Sequence, residues 1–261
     1  MSQYTSYQVD ARGVARLSLN RPDVHNAFDD VMIAELIEAL NSAENDDAVR
    51  VLVLQSAGKN FSAGADLNWM RSMADKDYQQ NIDDAGELSL LMQRLDELSK
   101  PTIALVQGAA FGGAVGLAAC CDMVLAQPKT SFCLSEVKIG LIPAVISPYV
   151  VKAIGERQSR RYMLTAERFF AEQALALGLV HRIVDDFEPA LAEWLDALLN
   201  NSPQALDACK SLIANVGSRP VEASVRKHTI EAIAKIRVSD EGQEGLSAFL
   251  EKRPAAWRND S

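Results

Sequence analysis

The sequence predicts an α/β fold followed by a helical C-terminal region, and three observations support this prediction. Short runs of apolar residues, such as VRVLVL at 49–54, are typical of strands buried on both faces of a parallel sheet. Segments with apolar residues at helical spacing alternate with these runs up to Pro143, and beyond Pro143 only helical patterns remain. The chain has 261 residues, of which 48% are hydrophobic, so it can bury a large core.

The elements of the N-terminal part follow from local patterns. Residues 7–19 alternate in polarity around Arg12-Gly13, which predicts a hairpin. Asp29 is expected to cap a helix through VMIAELIEALNSA, and VRVLVL follows as a strand. A second amphipathic helix is predicted over 82–98 and ends before Pro101. The strand TIALVQG, a glycine turn, the buried helix GAVGLAACC and the strand MVLA complete the predicted core.

The segment after Pro143 is too long for a linker and too apolar for a disordered region. Helices are predicted over 148–154, 159–165, 171–177, 188–200, 202–215 and 221–252. We therefore expect two regions, a core unit over 1–198 and a helical unit over 199–261.

Composition and charge argue against several classes of function. The formal net charge of −9 disfavours a nucleic-acid surface, because the tight basic cluster is limited to Arg157, Arg160 and Arg161. The four cysteines include no C-x-x-C pair, which fits a reducing cytoplasm. The start MSQYTSYQVD does not resemble a secretory signal, and no run of about 18 apolar residues suits a membrane span. A cytoplasmic protein that is not embedded in a membrane is expected.

The segment GAAFGGAVGLAACCD at 108–122 needs backbone without bulky side chains, which would serve close packing, phosphate binding or catalysis. A dinucleotide-binding G-x-G-x-x-G motif fails, because Phe111 stands at the place of its first glycine. The chain also has no P-loop and no G-x-S-x-G elbow. The histidines are expected to be surface or packing residues: His25, His181 and His228.

A second segment of small residues, FSAGADL at 61–67, follows the VRVLVL strand. Taken alone it indicates a turn that starts a helix. Together, the two segments each leave a predicted strand and open a helix with a small residue. Each can therefore offer an unobstructed N–H group to an anionic oxygen, and two convergent N–H groups would form an oxyanion hole.

Four motifs in this order resemble the crotonase, or enoyl-CoA hydratase/isomerase, family: FSAGADL, GAAFGGAVGLAACCD, FCLSEVKIGLIP and EGLSAFLEKRPAAW. The resemblance implies a spiral of ββα turns with a helical C-terminal trimerisation region. It also implies a trimer or a dimer of trimers, an acyl-CoA thioester substrate, and no metal or cofactor apart from the CoA of the substrate. By position, the amides of the oxyanion hole fall on Ala65 and Gly113, and Gly112 lets the backbone approach the thioester.

The same resemblance assigns the CoA-binding turn to Ala63, Gly64, Asp66 and Leu67. A plain helix cap is an equal alternative for Asp66. Asn68 stands where many relatives have a lysine, which puts part of the CoA site in doubt. Substitutes for that lysine are Lys59, His25 and, from a neighbouring subunit, Phe249 and Lys252.

Hydratases of this family usually carry two glutamates, and this chain has Gly116 at the first of the two places. The second is present as Glu136, among apolar residues that would raise its pKa towards the range useful for proton transfer. One carboxylate suffices for a double-bond isomerase. It also permits hydration, because one carboxylate can take a proton from water and deliver a proton to Cα.

The segments ADLNWM and LSEVKIGLIPAVISPYVV resemble those of bacterial 3-methylglutaconyl-CoA hydratases and of relatives that act on longer branched glutaconyl-CoA esters. On this basis Gly116 is expected to give room for the acyl group, and Trp69 either lines the acyl end or packs in the core. Hydration is the favoured reaction. An isomerase, a non-catalytic acyl-CoA-binding homologue and an RNA-binding member of the family are the alternatives.

Overall fold

The fold is built on a six-stranded sheet with a small second sheet beside it. The computed structural model describes residues 3–73, 75–217 and 219–258. The strands of the larger sheet are, in spatial order, Thr5–Val9 (β1), Val14–Leu19 (β2), Val51–Ser56 (β3), Thr102–Val106 (β4), Met123–Ala126 (β6) and Arg182–Ile183 (β9). β1 is antiparallel to β2, and the later pairs are parallel. The smaller sheet joins Ala109–Phe111 (β5), Ser131–Cys133 (β7) and Phe169–Phe170 (β8).

Helices alternate with the strands in the first half of the chain and dominate the second half. Their bounds are Asp30–Asn45 (α1), Leu67–Met73 (α2), Tyr78–Asp96 (α3), Gly113–Cys120 (α4), Ser147–Thr165 (α5), Ala171–Leu177 (α6), Phe187–Leu199 (α7), Pro203–Val216 (α8), Ala223–Arg237 (α9) and Asp240–Glu251 (α10). The predicted hairpin is present as β1 and β2. The predicted cap is also present, since the Asp29 carboxylate accepts a hydrogen bond from the amide of Met32. The α/β prediction is confirmed.

The larger sheet is buried on both faces, which explains the uninterrupted apolar run in β3. Leu52 and Leu54 of this strand belong to the main hydrophobic core, which also holds residues of α1, α3 and α4. Val51 and Val53 point to the opposite face and pack in a second cluster with residues of α7. Side chains in a strand alternate between its two faces, so a strand covered on both sides needs apolar residues at every position.

One helical prediction is wrong, and a second one is confirmed. The single helix expected over 221–252 is divided into α9 and α10, because the side chain of Ser239 caps a new helix by accepting from the amide of Gly242. The two helices expected over 148–154 and 159–165 are confirmed as the two halves of α5, because the chain kinks at Gly155, whose φ of 76° is left-handed. The short strands β5, β8 and β9 were not predicted, since two or three residues carry no readable alternation.

The C-terminal helices α8, α9 and α10 pack on one another. Lys210 of α8 ties them to the core, because its ammonium group donates to the Asp122 carboxylate at 2.6 Å and to the carbonyl of Lys100 at 3.0 Å. The division between 1–198 and 199–261 stays a prediction. Within the described ranges, none of the helices has the length and apolar character needed to cross a bilayer.

Candidate active site

The first loop of the site follows β3 and places the amide of Ala65 at the surface. The Phe28 amide donates to the Gly64 carbonyl at 2.8 Å, and the Asp66 amide donates to the Phe28 carbonyl at 2.7 Å. Ala65, which lies between these two bonds, is exposed, and its own amide has no acceptor among the described residues. The bonds on either side therefore fix a free N–H group in place.

The second loop connects β5 to α4 and leaves the amide of Gly113 free. Gly113 is the first residue of α4, where an N–H group has no partner within the helix. The described residues supply no other acceptor for this amide. The preceding Gly112 has a left-handed φ of 54°, and its amide donates to the carbonyl of Cys133 at 2.9 Å. This bond fixes the start of the helix against β7.

The two loops pack directly against each other. Gly64 has a φ of 91°, and a Cβ atom there would lie 2.9 Å from the carbonyl oxygen of Phe111. Hydrogen bonds from the Phe111 amide to Ser62 and from the Ser62 amide to Ala109 align the two segments. Glycine at position 64 is needed both for its backbone conformation and for this close approach. The two loops that carry the free amides are therefore held in contact with each other.

Glu136 brings a carboxylate to the second loop. It begins a short 3-10 turn, Glu136–Ile139, and its Oε1 lies 3.2 Å from the point that a Cβ atom would occupy on Gly112. Its Oε2 is buried and has no hydrogen-bond partner among the described residues. Burial raises the pKa of Glu136 above its ordinary value, because the charged form loses hydration that the hydrogen bond from its own backbone amide only partly replaces.

The carboxylate of Asp66 is engaged in local contacts rather than aimed at the free amides. It accepts from the amides of Asn68 at 2.8 Å and Trp69 at 3.3 Å, and so caps α2. The guanidinium group of Arg21 donates to it at 3.3 Å and also pairs with Asp29 at 2.8 Å. This geometry is that of the helix-cap alternative. Arg21, which holds α1 and α2 together, was missed because nothing local marks its two distant partners.

The expectation that Gly116 leaves room for an acyl group is wrong. A Cβ atom on Gly116 would lie 2.3 Å from Cγ2 and 2.7 Å from Cβ of Ile146, and 3.2 Å from the sulfur of Met92. Both neighbours are buried, with 2% and 0% of their surface exposed. The space above Gly116 is therefore filled by side chains of the protein itself.

The remaining predicted residues lie in three places. His25 has a left-handed φ of 56°, is exposed, and accepts through its carbonyl from the amide of Ala63 at 2.9 Å. Leu67, beside the first loop, is 70% exposed. Trp69 packs against the main core, and its indole N–H is buried without an acceptor among the described residues. Phe249 and Lys252 are exposed at the end of α10.

The buried cysteine thiols and the imidazole of His181 have structural roles outside the two loops. The thiols of Cys120, Cys121 and Cys133 are buried, and burial raises their pKa, which disfavours the nucleophilic thiolate. The Nδ1 of His181 accepts from the Val124 amide at 3.1 Å, and desolvation lowers the pKa of this imidazole. His181 thus stabilises the junction of β6 and β9, as expected of a packing histidine.

Chemically, the arrangement offers two unpaired N–H donors and one carboxylate of raised pKa. Two such donors can stabilise the negative charge that develops on a carbonyl oxygen, and a partly buried carboxylate can exchange a proton at an adjacent carbon.

The chain is similar in sequence and in fold to known proteins. Residues 10–260 match the family described as enoyl-CoA hydratase/isomerase. The 2,3-dehydroadipyl-CoA hydratase of Escherichia coli (strain K12) is 31% identical over 244 residues, which cover 92% of this chain and 93% of that protein. The trans-2-decenoyl-(acyl-carrier-protein) isomerase of Streptococcus mutans serotype c is 30% identical over 251 residues, which cover 95% of each chain. The crystal structure of an enoyl-CoA hydratase from Shewanella pealeana superimposes with a TM-score of 0.97 at 54% identity, covering 98% of this chain and 97% of that one.

Proposed function

The chain belongs to the enoyl-CoA hydratase/isomerase family, and from this premise we propose that it is a hydratase that adds water across the 2,3 double bond of an acyl-CoA thioester. The resemblance of the four sequence motifs to this family is confirmed, and so is the fold that it implied. The observation that carries the proposal is the pair of free amides on two touching loops, with the Glu136 carboxylate, whose buried Oε2 has no partner among the described residues, beside the second loop.

The amides of Ala65 and Gly113 form the oxyanion hole in this proposal. Both would donate to the thioester oxygen of the substrate, on which negative charge develops as an enolate forms. The donors are held in place before the substrate arrives, by the bonds around Phe28 and by the bond from Gly112 to Cys133. Preorganised donors of this kind stabilise the transition state more than the ground state.

Glu136 is the acid/base in this proposal. Its carboxylate takes a proton from water while the water oxygen bonds to Cβ, and the electron pair of the double bond moves into the enolate. The protonated Glu136 then returns a proton to Cα as the enolate collapses, so that one water is added and the carboxylate is regenerated. A raised pKa suits both halves of the cycle, because the carboxyl group must be a useful base and then a useful acid near neutral pH. No cofactor is needed, since CoA is part of the substrate.

For the acyl group we propose 3-methylglutaconyl-CoA or a related branched glutaconyl-CoA, as in the breakdown of leucine or isoprenoid compounds. The support is that the segments ADLNWM and LSEVKIGLIPAVISPYVV resemble those of bacterial 3-methylglutaconyl-CoA hydratases. The 2,3-dehydroadipyl-CoA hydratase relative is, by its name, a hydratase of a substrate that also carries a distal carboxylate. Arg71 and Lys138, both exposed, are the cations we assign as candidates for this carboxylate.

For CoA we propose a binding turn formed by Ala63, Gly64, Asp66 and Leu67, with His25 beside it. Asp66 would act there by holding the turn rather than by touching the ligand, since its carboxylate caps α2. Phe249, 82% exposed, and Lys252 would reach CoA from a neighbouring subunit. The homo-oligomer that this requires, a trimer or a dimer of trimers, is supported by the exposed apolar residues of α10. A cytoplasmic location is part of the proposal, whereas nucleic acid is not expected as a partner of a chain with net charge −9.

An isomerase is the second candidate, and one observation favours it. Ile146 and Met92 fill the space at Gly116, so no second carboxylate joins Glu136 from this turn of α4. Moving a double bond along an acyl chain needs only one base, which removes a proton at one carbon and returns it at another. The Streptococcus mutans relative is named as an isomerase.

Turnover in water labelled with oxygen-18 tests the proposal. The purified protein is incubated with 3-methylglutaconyl-CoA, crotonyl-CoA and a 3-enoyl-CoA, and the products are analysed by mass spectrometry. Label in a 3-hydroxyacyl-CoA product supports hydration, and the preferred substrate identifies the acyl class. A shifted double bond without label would establish the isomerase instead. Binding without turnover of any of the three would overturn both.

A further inference from the structure

Two glycines at the start of α4 admit the two ends of one segment, residues 136–146. Gly112 is the N-cap residue of α4, with a non-helical φ of 54°, and Gly116 lies one turn into the helix. Glu136 lies against Gly112, and Ile146 lies against Gly116. Four residues of helix correspond to about 6 Å, so the two contacts are about one turn apart.

The contact at Gly116 is much tighter than the one at Gly112. Non-bonded carbon atoms are at their best separation at about 3.5–4.0 Å. A Cβ atom on residue 116 would meet two carbons of Ile146 at 2.3 and 2.7 Å, with the sulfur of Met92 at 3.2 Å on the other side. Ile146 cannot retreat easily, because it is 2% exposed in the main core. The smallest side chain at position 116 would therefore push Ile146 outwards.

The anchors of the segment between the two contacts lie near Ile146, where Pro143 is buried and Val145 packs against the main core. Three of its apolar side chains point to solvent: Ile139 (58% exposed), Leu141 (51%) and Ile142 (71%). Its internal bonds are local, such as the one from the Leu141 amide to the Glu136 carbonyl at 3.0 Å. Ile146, whose carbonyl accepts from the amide of Val150 at 3.1 Å, is where the segment joins the start of α5. Displacement of Ile146 would therefore be transmitted along the segment towards Glu136.

We propose that Gly116 and Ile146 are a positioning pair for Glu136. Ile146 docks the segment 136–146 on α4 because residue 116 has no side chain, and this docking sets the distance between the Glu136 carboxylate and the Gly113 amide. The same contact places an apolar wall one turn from the carboxylate, which keeps water from solvating it on that side. The inference rests on the proposed function, in which Glu136 transfers the proton.

Replacement of Gly116 by alanine tests the pair. Gly116→Ala should lower kcat by about 10- to 100-fold, because a catalytic group displaced by about 1 Å can lose that much. KM should stay within a few-fold, since the CoA-binding turn is on the other loop. Gly86→Ala on α3 is the matched control: a Cβ atom there has nothing within 4 Å, so kcat should be unchanged.

Replacement of Ile146 supplies a readout that a merely structural role would not move. Ile146→Ala should let water reach Glu136, lower its pKa, and shift the acidic limb of the kcat profile to lower pH. The ionisable groups around Glu136 are retained in every variant: Cys133 and Lys138 near it in the sequence, and Arg168, whose guanidinium group lies over the ring of Phe111. The double variant Gly116→Ala/Ile146→Ala should recover only part of the lost kcat, because it removes the Cγ2 atom at 2.3 Å and keeps the Cβ atom of residue 146 at 2.7 Å.

Three outcomes would contradict the proposed positioning role of Gly116 and Ile146. The first is an unchanged kcat in Gly116→Ala. The second is a loss of kcat in the double variant that equals the product of the two single losses. The third is an acidic limb of the kcat profile that stays at the same pH in Ile146→Ala. Failure of the proposed function is distinguishable, since then the parent protein itself turns over no acyl-CoA. In that case a crystal structure of Gly116→Ala tests the positioning role of Gly116 and Ile146. Displacement of both Ile146 and Glu136 would support this role, and unchanged positions of both would contradict it.

Discussion

The loops of the site and the C-terminal helices differ in what they leave without a partner. In the loops, Gly64 and Gly112 adopt left-handed conformations, and the amides of Ala65 and Gly113 remain free. In the C-terminal region, the side chain of Ser202 caps α8 and that of Ser239 caps α10. There the groups without partners are apolar side chains at the surface: Val221, Ile230, Val238, Leu246, Phe249 and Leu250.

This difference separates two kinds of function within one chain. Free backbone donors beside a buried carboxylate cost stability, and they are useful where charge develops during a reaction. Exposed apolar side chains also cost free energy, and they are useful where another protein surface covers them. We therefore expect substitutions in the loops to change chemistry and substitutions in the tail to change assembly. The following predictions test that separation.

The largest effect is expected for Glu136→Gln. The amide keeps the size of the side chain but cannot transfer the proton, so kcat should fall by about 10²–10⁴ while acyl-CoA affinity stays within a few-fold. Exchange of the α-protons of a saturated acyl-CoA with deuterated solvent should be lost as well. Kinetics, calorimetry and NMR measure the three quantities. Retention of both hydration and exchange would show that another group carries the proton.

The same substitution should not destabilise the protein at neutral pH. The folded-state pKa of Glu136 is raised above its ordinary 4.5, so the folded state holds the proton to higher pH than the unfolded state. Stability from this group is therefore present below pH 4.5 and is lost as pH rises through the raised pKa. Glutamine removes that loss, and Glu136→Gln should unfold at the same or a higher temperature at pH 8. A marked drop in Tm would indicate a structural role instead.

The next largest effect is expected when an amide of the loops is removed. Ala65→Pro and Gly113→Pro each delete one donor, and turnover should fall by about 10²–10³ or more, part of it through local distortion. Proline is tolerated at the first position of a helix, which makes Gly113→Pro the cleaner of the two. Ala65→Ser keeps its N–H group and should lose far less than Ala65→Pro. Full activity in both proline variants would remove the oxyanion-hole assignment.

A smaller effect, on assembly, is expected in the tail. Phe249→Ser/Leu250→Ser should shift light scattering towards smaller species and leave the circular dichroism of the chain unchanged. If Phe249 also completes the CoA site of a neighbour, KM should rise about tenfold, the loss expected for one well-packed contact. Leu164→Ser, at a 73% exposed site on α5, is the control outside the tail. An unchanged assembly with unchanged KM would contradict the proposed role of α10.

The two regions also differ in how far the sequence predicts them. Small residues at 61–67 and 108–116 predict two tight loops, because backbone conformation is a local property. Glu136 is identified from the resemblance of FCLSEVKIGLIP to the family, and its apolar neighbours predict its raised pKa. The filling of the space at Gly116 is not predictable, since Ile146 lies in a different element of the chain. Arg21, whose partners Asp29 and Asp66 come together only in the fold, is unpredictable for the same reason.

In the tail, the helical character of 203–251 is predicted from periodicity, whereas the break between α9 and α10 is not. The apolar pattern continues across Val238, which is 78% exposed, and so does not distinguish one helix from two. The signal that could have been used is Ser239, a favoured N-cap residue followed by two acidic residues, Asp240 and Glu241. Local hydrogen bonding by one side chain thus outweighs a continuous hydrophobic pattern.

The smallest effect is expected for Ser239→Ala, which tests that cap. The hydroxyl oxygen of Ser239 accepts from the amide of Gly242 at 3.1 Å, and loss of such a cap typically costs about 1 kcal/mol. For a chain of this size, Tm should fall by about 2–4 °C. Ser211→Ala, at an exposed position within α8, removes a hydroxyl that caps nothing and should leave Tm unchanged or slightly raised, because alanine favours helix. Turnover at low temperature should be the same in both variants, since neither residue belongs to the loops of the site. A loss of turnover in Ser239→Ala without a change in Tm or assembly would show that the tail and the loops are coupled. It would contradict the expectation that the loops determine the chemistry and the tail determines the assembly.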